Sequence, residues 1–272
     1  MTTPDRDYLL GTHDEEIVRL GLQHRVWAPR TLASWRAAGF TVGQTILDIG
    51  AGPGYASLDL AAITGPSGRV VALERSRRFL DVLAARAEHA GLSNIECHEL
   101  DLETDPLPSG LADAAWGRWI FAFLKDPRAA LVKVRDALKP GAPLVLYEYL
   151  DYQSWSILPR VAEIDELVPI VVKSWKAAGG DPDVGREIPA WLDELGFEVR
   201  SVRPMVDVIT PADYTWQWPA TFVQVGVERL IATGYMDETQ GRATIAAYAA
   251  ASQRPHTRMI TPTVAEIIAV RR

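Results

Sequence analysis

Cysteine is nearly absent from this chain of 272 residues. Cys97 stands alone, so the chain can build neither an internal disulfide framework nor a thiolate metal cluster. Long apolar runs are missing as well. The best stretch, residues 167–172, contains Pro169 and lies between Glu166 and Lys173, far short of the ~18 residues of a membrane span. The opening residues carry Asp5 and Asp7 instead of a basic patch and an apolar core, so no secretory signal is read there and the cytoplasm is the expected compartment. A positive excess is also lacking. Residues 1–150 hold 16 Lys and Arg against 19 Asp and Glu, and residues 151–272 hold 12 against 16. A sequence-independent grip on phosphates needs the opposite balance, so nucleic acid is not an expected partner. The evenly spread net charge of -7 points instead to a small uncharged or mildly cationic one.

What is present is an ordinary globular composition, 48% hydrophobic and 23% charged, which excludes intrinsic disorder. Residues 45–147 alternate between apolar strands and helices with clear punctuation. Strands are read at 45–49, 69–74, 95–100, 112–118 and 144–147. Helices are read from 58 to 62, from Ser76 to Gly91, and from Asp126–Pro127 to Leu138. Strands separated by such helices imply βαβ units and a mainly parallel sheet. Two further strands are expected at 197–207 and 266–271, with mostly helical stretches at 151–195 and 208–258. An amphipathic segment, about 14–38, precedes the sheet.

The densest chemical signal is Ile46-Leu47-Asp48-Ile49-Gly50-Ala51-Gly52-Pro53-Gly54-Tyr55. Glycines that follow an apolar strand and open a helix let a ligand lie against bare backbone at the carboxyl edge of a parallel sheet. The dinucleotide fingerprint G-x-G-x-x-G would need glycine where Tyr55 stands, so the spacing is wrong for a pyrophosphate. Three acidic stations accompany the loop. Glu74 ends the second strand, where a carboxylate can accept hydrogen bonds from both ribose hydroxyls of an adenosine. Asp101 follows the third strand, within reach of an adenine amine with Leu102 against the ring, and Asp113 lies in the fourth strand, with Arg118 at its end. A solvated strand-end carboxylate is the plain alternative for Glu74 taken singly; three such stations in register make it the weaker one.

These residues resemble a class I S-adenosylmethionine-dependent methyltransferase of the small-molecule group that includes quinone-biosynthesis enzymes. ILDIGAGPGYASLDLA is similar to that family's glycine-rich motif, VVALERS to its ribose-binding strand, HELDLE to its adenine station, and ADAAWGRWIFAFLKDP and LKPGAPLVLYE to its fourth and fifth strands. The resemblance covers about residues 42–150. It implies an α/β, Rossmann-like, seven-stranded, mostly parallel sheet with an antiparallel last strand, helices on both faces and an added helical cap. It also implies one methyltransferase domain over 1–272, with a helical lid at 1–41, a cofactor-binding core at 42–150, and acceptor-side additions at 151–195 and 208–258.

Residue by residue, the resemblance implies that Gly50, Gly52 and Gly54 pass beneath S-adenosylmethionine. Asp48 would orient the loop or hold the amino group through water. Glu74 would bind the ribose, Arg75 would lie beside the adenine, and Asp101 and Leu102 would bind it. Arg118 would line the amino-acid end, although the family often has a small or polar residue there. Leu20, Gln23 and His24 are the candidates for lid contacts. No metal is expected, because the sulfonium already activates the methyl group. The partners expected are a small-molecule acceptor and a second copy of the chain in a homodimer, with no membrane span.

The acceptor is less legible. Enzymes that methylate DNA or protein amides carry an Asn/Asp-Pro-Pro-aromatic motif after the fourth strand; Gly117-Arg118-Trp119-Ile120 stands there instead. The metal-dependent catechol type needs an acidic cluster that cannot be assembled. Candidate bases are His13, His24, Glu148, Asp151 and His256, each with a plain structural alternative, so no catalytic residue is assigned. Tyr147, Tyr149 and Tyr152 could stack on a substrate or simply pack. Nine tryptophans, most of them at the fourth strand or after residue 150, favour a concave apolar pocket and hence a hydrophobic or aromatic acceptor. The rival readings are a cofactor-binding protein without transfer and an NAD(P)-dependent oxidoreductase. The latter is disfavoured by Tyr55 and by the lack of a Tyr-x-x-x-Lys pair.

Overall fold

The computed structural model describes residues 12–272. Asp5, Asp7 and the first eleven residues of the expected lid lie outside the described residues. The chain then runs α1 (Asp14–Ala38), β1 (Thr45–Ile49), α2 (Tyr55–Thr64), β2 (Arg69–Glu74), α3 (Arg77–His89), β3 (Ile95–Glu99), β4 (Ala114–Arg118), α4 (Pro127–Ala137) and β5 (Pro143–Asp151). It continues through β6 (Ser156–Leu158), α5 (Ala162–Ala177), α6 (Ile188–Glu194), β7 (Phe197–Met205), β8 (Val208–Ile209), α7 (Gln217–Ala232), α8 (Glu238–Ser252), β9 (Arg258–Ile260) and β10 (Thr263–Arg271).

Seven strands form one sheet in the order β3-β2-β1-β4-β5-β10-β7. The first five pair in parallel, and β10 runs antiparallel between β5 and β7. The expected sheet with its antiparallel last strand is therefore present. The order reverses between β1 and β4, so the loops after these two strands diverge and leave a crevice at the carboxyl edge. Strands β1, β2 and β4 are buried on both faces, as their near-continuous apolar sequences require of a sheet covered twice.

Local chemistry sets the helix ends. The His13 imidazole caps α1 by accepting from the Glu16 amide, and Asp14, Glu15 and Glu16 load its first turn with negative charge, which suits the dipole. Gly39 closes the same helix at φ 85°. Ser76 caps α3, while Asp126 caps α4 ahead of Pro127. His13 thus belongs to the helix start, the plain alternative to catalysis.

Two expectations need correction. The stretches at 151–195 and 208–258 do supply α5, α6, α7 and α8, but they also contribute β6 and β8, which with β9, starting at Arg258, form a second, three-stranded antiparallel sheet. Strands of two or three residues are too short to display a period of two, so the sequence pattern could not announce them. Asp113 precedes β4 at the amino edge of the sheet, opposite the crevice. There partial burial works to raise its carboxyl, but bonds from Lys139 and the Thr45 amide outweigh it and hold the group below the usual range, so it is not a ligand station.

Candidate active site

The crevice opens into a cavity of about 1380 Å³, its mouth included. Asp48, Gly50, Gly52, Glu74, Arg75, Asp101, Leu102, Arg118 and Gln23 all line it, so nine of the ten expected cofactor contacts converge. Gly54 does not. It starts α2 with its Cα facing Leu83, where a side chain would collide with the leucine.

The loop itself explains its glycines. Gly50 sits at φ 65°, and a Cβ there would fall 2.0 Å from Ile120 Cδ1, while Gly52, at φ 56°, faces open space. Glu74 reaches back to stiffen the turn: its Oε2 accepts from the Gly52 amide and its Oε1 from the Ser76 amide, each at 2.9 Å. The Arg75 amide adds a third bond to the same carboxylate, which has about four lone-pair sites in all. Burial pushes the Glu74 carboxyl up, with the amides of Ser76 and Gly52 working against the rise. Asp48 is pushed up to about 6 by burial, although Ser57 donates to it at 2.5 Å and Arg118 opposes the shift.

The Asp101 station is held by a residue that the sequence reading overlooked. Lys133, on α4, donates to the carbonyls of Leu102, Glu103 and Asp105 at 2.8, 2.9 and 2.9 Å, which uses all three of its N–H groups. Asp101 accepts from the Glu103 amide within the same loop. Arg118 is drawn out of solvent, and burial lowers its guanidinium to about 10. Its Nη1 is buried with no hydrogen-bond partner among the described residues, and its Cζ lies 5.3 Å from the Trp119 ring centroid.

Helix α1 covers the cavity with Arg19, Leu20 and Gln23. Arg19 is fixed by both oxygens of the fully buried Glu16, at 2.7 and 2.6 Å, and by Gln23 Oε1 at 2.9 Å. The spacing 16, 19, 23 places the three on one helix face and could have disclosed them. His24 is not a lining residue; its Nε2 bonds Asp59 at 3.0 Å and its ring stacks on Tyr55. Tyr55, the residue that spoils the dinucleotide spacing, ties helix to loop. Its hydroxyl donates to the Ile17 carbonyl at 3.0 Å and accepts from Arg86 at 2.6 Å.

The far end of the cavity is aromatic. Trp116, Trp119, Phe123, Tyr149, Trp175, Trp218 and Phe222 line it, and Trp119 is sandwiched between Tyr149 and Trp218 at 5.3 and 5.5 Å. Four of the nine tryptophans therefore face the ligand space; Trp27, Trp35, Trp155 and Trp216 are buried outside its lining. Phe123 and Phe222 were not anticipated. The spacing 218, 222 on α7 was the available signal for the second of them. The charged lining residues balance at three and three, with Arg19, Arg75 and Arg118 against Asp48, Glu74 and Asp101. The overall charge of -7 consequently does not describe the cavity and gives no guide to the acceptor.

Of the remaining candidate bases, His256 is exposed in the turn before β9, and Asp151 lies 3.7 Å from Arg186 away from the cavity lining. Glu148 is fully buried and also outside the lining. Its Oε1 accepts from the amides of Ile120 and Phe121 at 2.7 and 2.8 Å, and its Oε2 from Ala122 at 3.4 Å. Burial pushes it up to about 7 against these three bonds. Tyr147 and Tyr152 are core residues; Tyr147 bonds Ser34 at 2.5 Å, and Ser34 also donates to Glu266. Among the described residues no group of three or more His, Cys, Asp and Glu side chains could hold a metal ion, and no helix is long and apolar enough to cross a membrane.

Comparison with known proteins agrees with this geometry. Residues 46–141 match the methyltransferase domain family. An uncharacterised protein of a Streptomyces fradiae transposon is 30% identical over 194 residues, which is 71% of this chain and 54% of that one. A ubiquinone/menaquinone biosynthesis C-methyltransferase from an Enterobacter strain is 26% identical over 153 residues, 52% of this chain and 60% of its own. The chain thus spans between half and two thirds of the length of these curated relatives. Among solved structures, geranyl diphosphate C-methyltransferase from Streptomyces coelicolor superposes with a TM-score of 0.58 at 15% identity, covering 92% of this chain and 77% of that one. Residues 46–141, with the glycine loop and the Glu74 and Asp101 stations, are a methyltransferase domain, and the chain has the fold of the class I S-adenosylmethionine-dependent methyltransferases.

Proposed function

We propose that this protein transfers a methyl group from S-adenosylmethionine to a small hydrophobic or aromatic acceptor by in-line displacement. The observation that carries this reading is the continuity of one cavity from the Gly52–Glu74 end to the aromatic cage. The residues present fit the cofactor. Bare backbone at Gly52 faces open space, the Glu74 carboxylate retains acceptor capacity beyond its three backbone amides for a diol, and Arg118 has an Nη1 donor without a partner among the described residues for a carboxylate. Leu102 offers an apolar face beside Asp101 for adenine. Helix α1 acts as the lid, held down through Tyr55.

S-adenosylmethionine supplies the electrophile, a methyl group on a sulfonium. The chain must hold the acceptor atom behind that methyl and keep water out. The aromatic wall suits both tasks: its ring faces bind an apolar acceptor and attract a cationic sulfonium. The Enterobacter relative, a ubiquinone/menaquinone biosynthesis C-methyltransferase, acts on this substrate class. The test is a two-part screen. Calorimetry should detect S-adenosylhomocysteine and not NAD, and radiolabelled S-adenosylmethionine should then label a member of a panel of phenols, quinols and amines. Binding of NAD in place of S-adenosylhomocysteine would overturn the reading; cofactor binding with no labelled acceptor would favour a binding protein without transfer.

A further inference from the structure

Glu148 draws attention because burying a carboxylate is expensive unless something is gained. Among the described residues no ion pair accompanies it; its bonds run to the backbone amides of residues 120–122. Those amides follow Trp119, which adopts φ 54° and is the one non-glycine with positive φ among the described residues. The left-handed region is costly for a bulky side chain, so a turn containing it persists only where its surroundings over-determine it. Here they do so from both sides. The Trp119 amide donates to the Tyr147 carbonyl at 2.8 Å, and the next two amides converge on a single oxygen of the neighbouring Glu148.

The turn serves both ends of the cavity. Trp119 is the middle ring of the Tyr149–Trp119–Trp218 stack, and Tyr149 itself follows Glu148 in sequence. Ile120, the first residue held by Glu148, lies against the bare Cα of Gly50 on the glycine loop. Both Trp119 and Ile120 line the cavity.

We infer that Glu148 is a positioning residue: its Oε1 clamps the 119–122 turn in the conformation that sets Trp119 into the acceptor wall and Ile120 against the glycine loop. This rests on the reading of the cavity as a methyl-transfer site. The carboxylate works as a hydrogen-bond acceptor, not as a base, and one oxygen does most of the work. Glutamine at 148 can reproduce that oxygen and its two short bonds, losing only the long contact to Ala122. Leucine keeps the approximate volume and loses every bond.

The test compares Glu148→Gln and Glu148→Leu in the full chain, at a temperature where circular dichroism shows each variant folded. Amide hydrogen exchange at residues 120 and 121 should stay slow in the wild type and Glu148→Gln and become fast in Glu148→Leu. S-adenosylhomocysteine affinity, and that of 1-naphthol as an aromatic probe read by tryptophan quenching, should fall about tenfold or more in Glu148→Leu and stay within about threefold in Glu148→Gln, as expected for loss or retention of buried hydrogen bonds. Unchanged exchange and affinity in Glu148→Leu would show that the turn holds itself. Equal losses in both variants would show that the charge, not the acceptor oxygen, matters. Either result overturns the inference. The exchange measurement involves no ligand, so it decides the clamp even if S-adenosylhomocysteine fails to bind and the methyl-transfer reading falls.

Discussion

Replacing Glu74 by glutamine should damage cofactor binding almost as much as replacing it by alanine, although glutamine differs by one heavy atom. Both carboxylate oxygens already accept a backbone N–H, Oε2 from Gly52 and Oε1 from Ser76. A glutamine has one acceptor and one donor end, so either orientation turns its NH₂ against one of those amides. The free protein loses about 1–3 kcal/mol from the donor left unsatisfied. The bound state loses in addition a charged hydrogen bond to a ribose hydroxyl, about 1.5–3 kcal/mol. Since 1.4 kcal/mol is a factor of ten, S-adenosylhomocysteine should bind about 10- to 150-fold more weakly by calorimetry at 25 °C. The hydroxyls can be isolated by comparing adenosine with 2′,3′-dideoxyadenosine. The wild type should prefer adenosine, and Glu74→Gln should not. Unchanged homocysteine-product affinity, or a preference that survives the substitution, would refute the ribose assignment.

Three further outcomes follow from the same site. Arg118→Met removes a half-buried cation whose buried Nη1 has no partner among the described residues, so the ligand-free protein should melt a few degrees higher by calorimetry while S-adenosylhomocysteine binds about tenfold more weakly. Methylthioadenosine, which lacks the amino-acid end, should be unaffected by that change. Lys133→Met frees three loop carbonyls and should weaken both ligands equally, since both carry adenine; a loss confined to one would misplace the loop. The third outcome concerns pH. Glu148 lies near 4.5 when unfolded and is pushed up to about 7 by burial in the fold. Between those values only the folded state keeps the proton, so its contribution is present below 4.5 and is lost as pH rises through 7, by roughly 3 kcal/mol in total. Melting temperatures from pH 4.5 to 8 should therefore fall in the wild type relative to Glu148→Gln, Asp48 contributing alike to both. Parallel curves would refute the shift.

The sheet and the cofactor end were legible because their signals are local. Residues 46–54 and Glu74 sit at the ends of strands whose apolar runs announce themselves, and the glycines record a backbone path that no Cβ permits at Gly50. Lys133 was not legible. It stands mid-helix as any solvated lysine would, and only the fold carries it to three carbonyls some thirty residues earlier. Arg19 was half legible, through the 16, 19, 23 spacing. The small sheet of β6, β8 and β9 was not, since its pairing is long-range and its strands have no period to read.

Glu148 shows where sequence reasoning fails in a more instructive way. A carboxylate at the end of the fifth strand was a sensible candidate base, because that edge faces the acceptor. Alternation along a strand, however, decides which face a side chain takes, and Tyr149 took the cavity while Glu148 took the opposite side. No ionisable carboxylate or imidazole is then left beside Trp119 and Trp175 among the described residues; the titratable groups lining the cavity there are Tyr149 and the Arg118 guanidinium, 5.3 Å from the Trp119 ring. An acceptor suited to such a wall must either ionise by itself or react without losing a proton first. Acidic phenols and quinols, electron-rich carbon centres and free amines satisfy that condition, whereas alcohols and amides do not. In the screen of acceptors, turnover of the acidic phenols should rise with pH along their own titration curves and not along a side chain's. A rate that followed a protein group near neutrality, whatever the phenol, would show that a base enters the site from a residue this geometry keeps away.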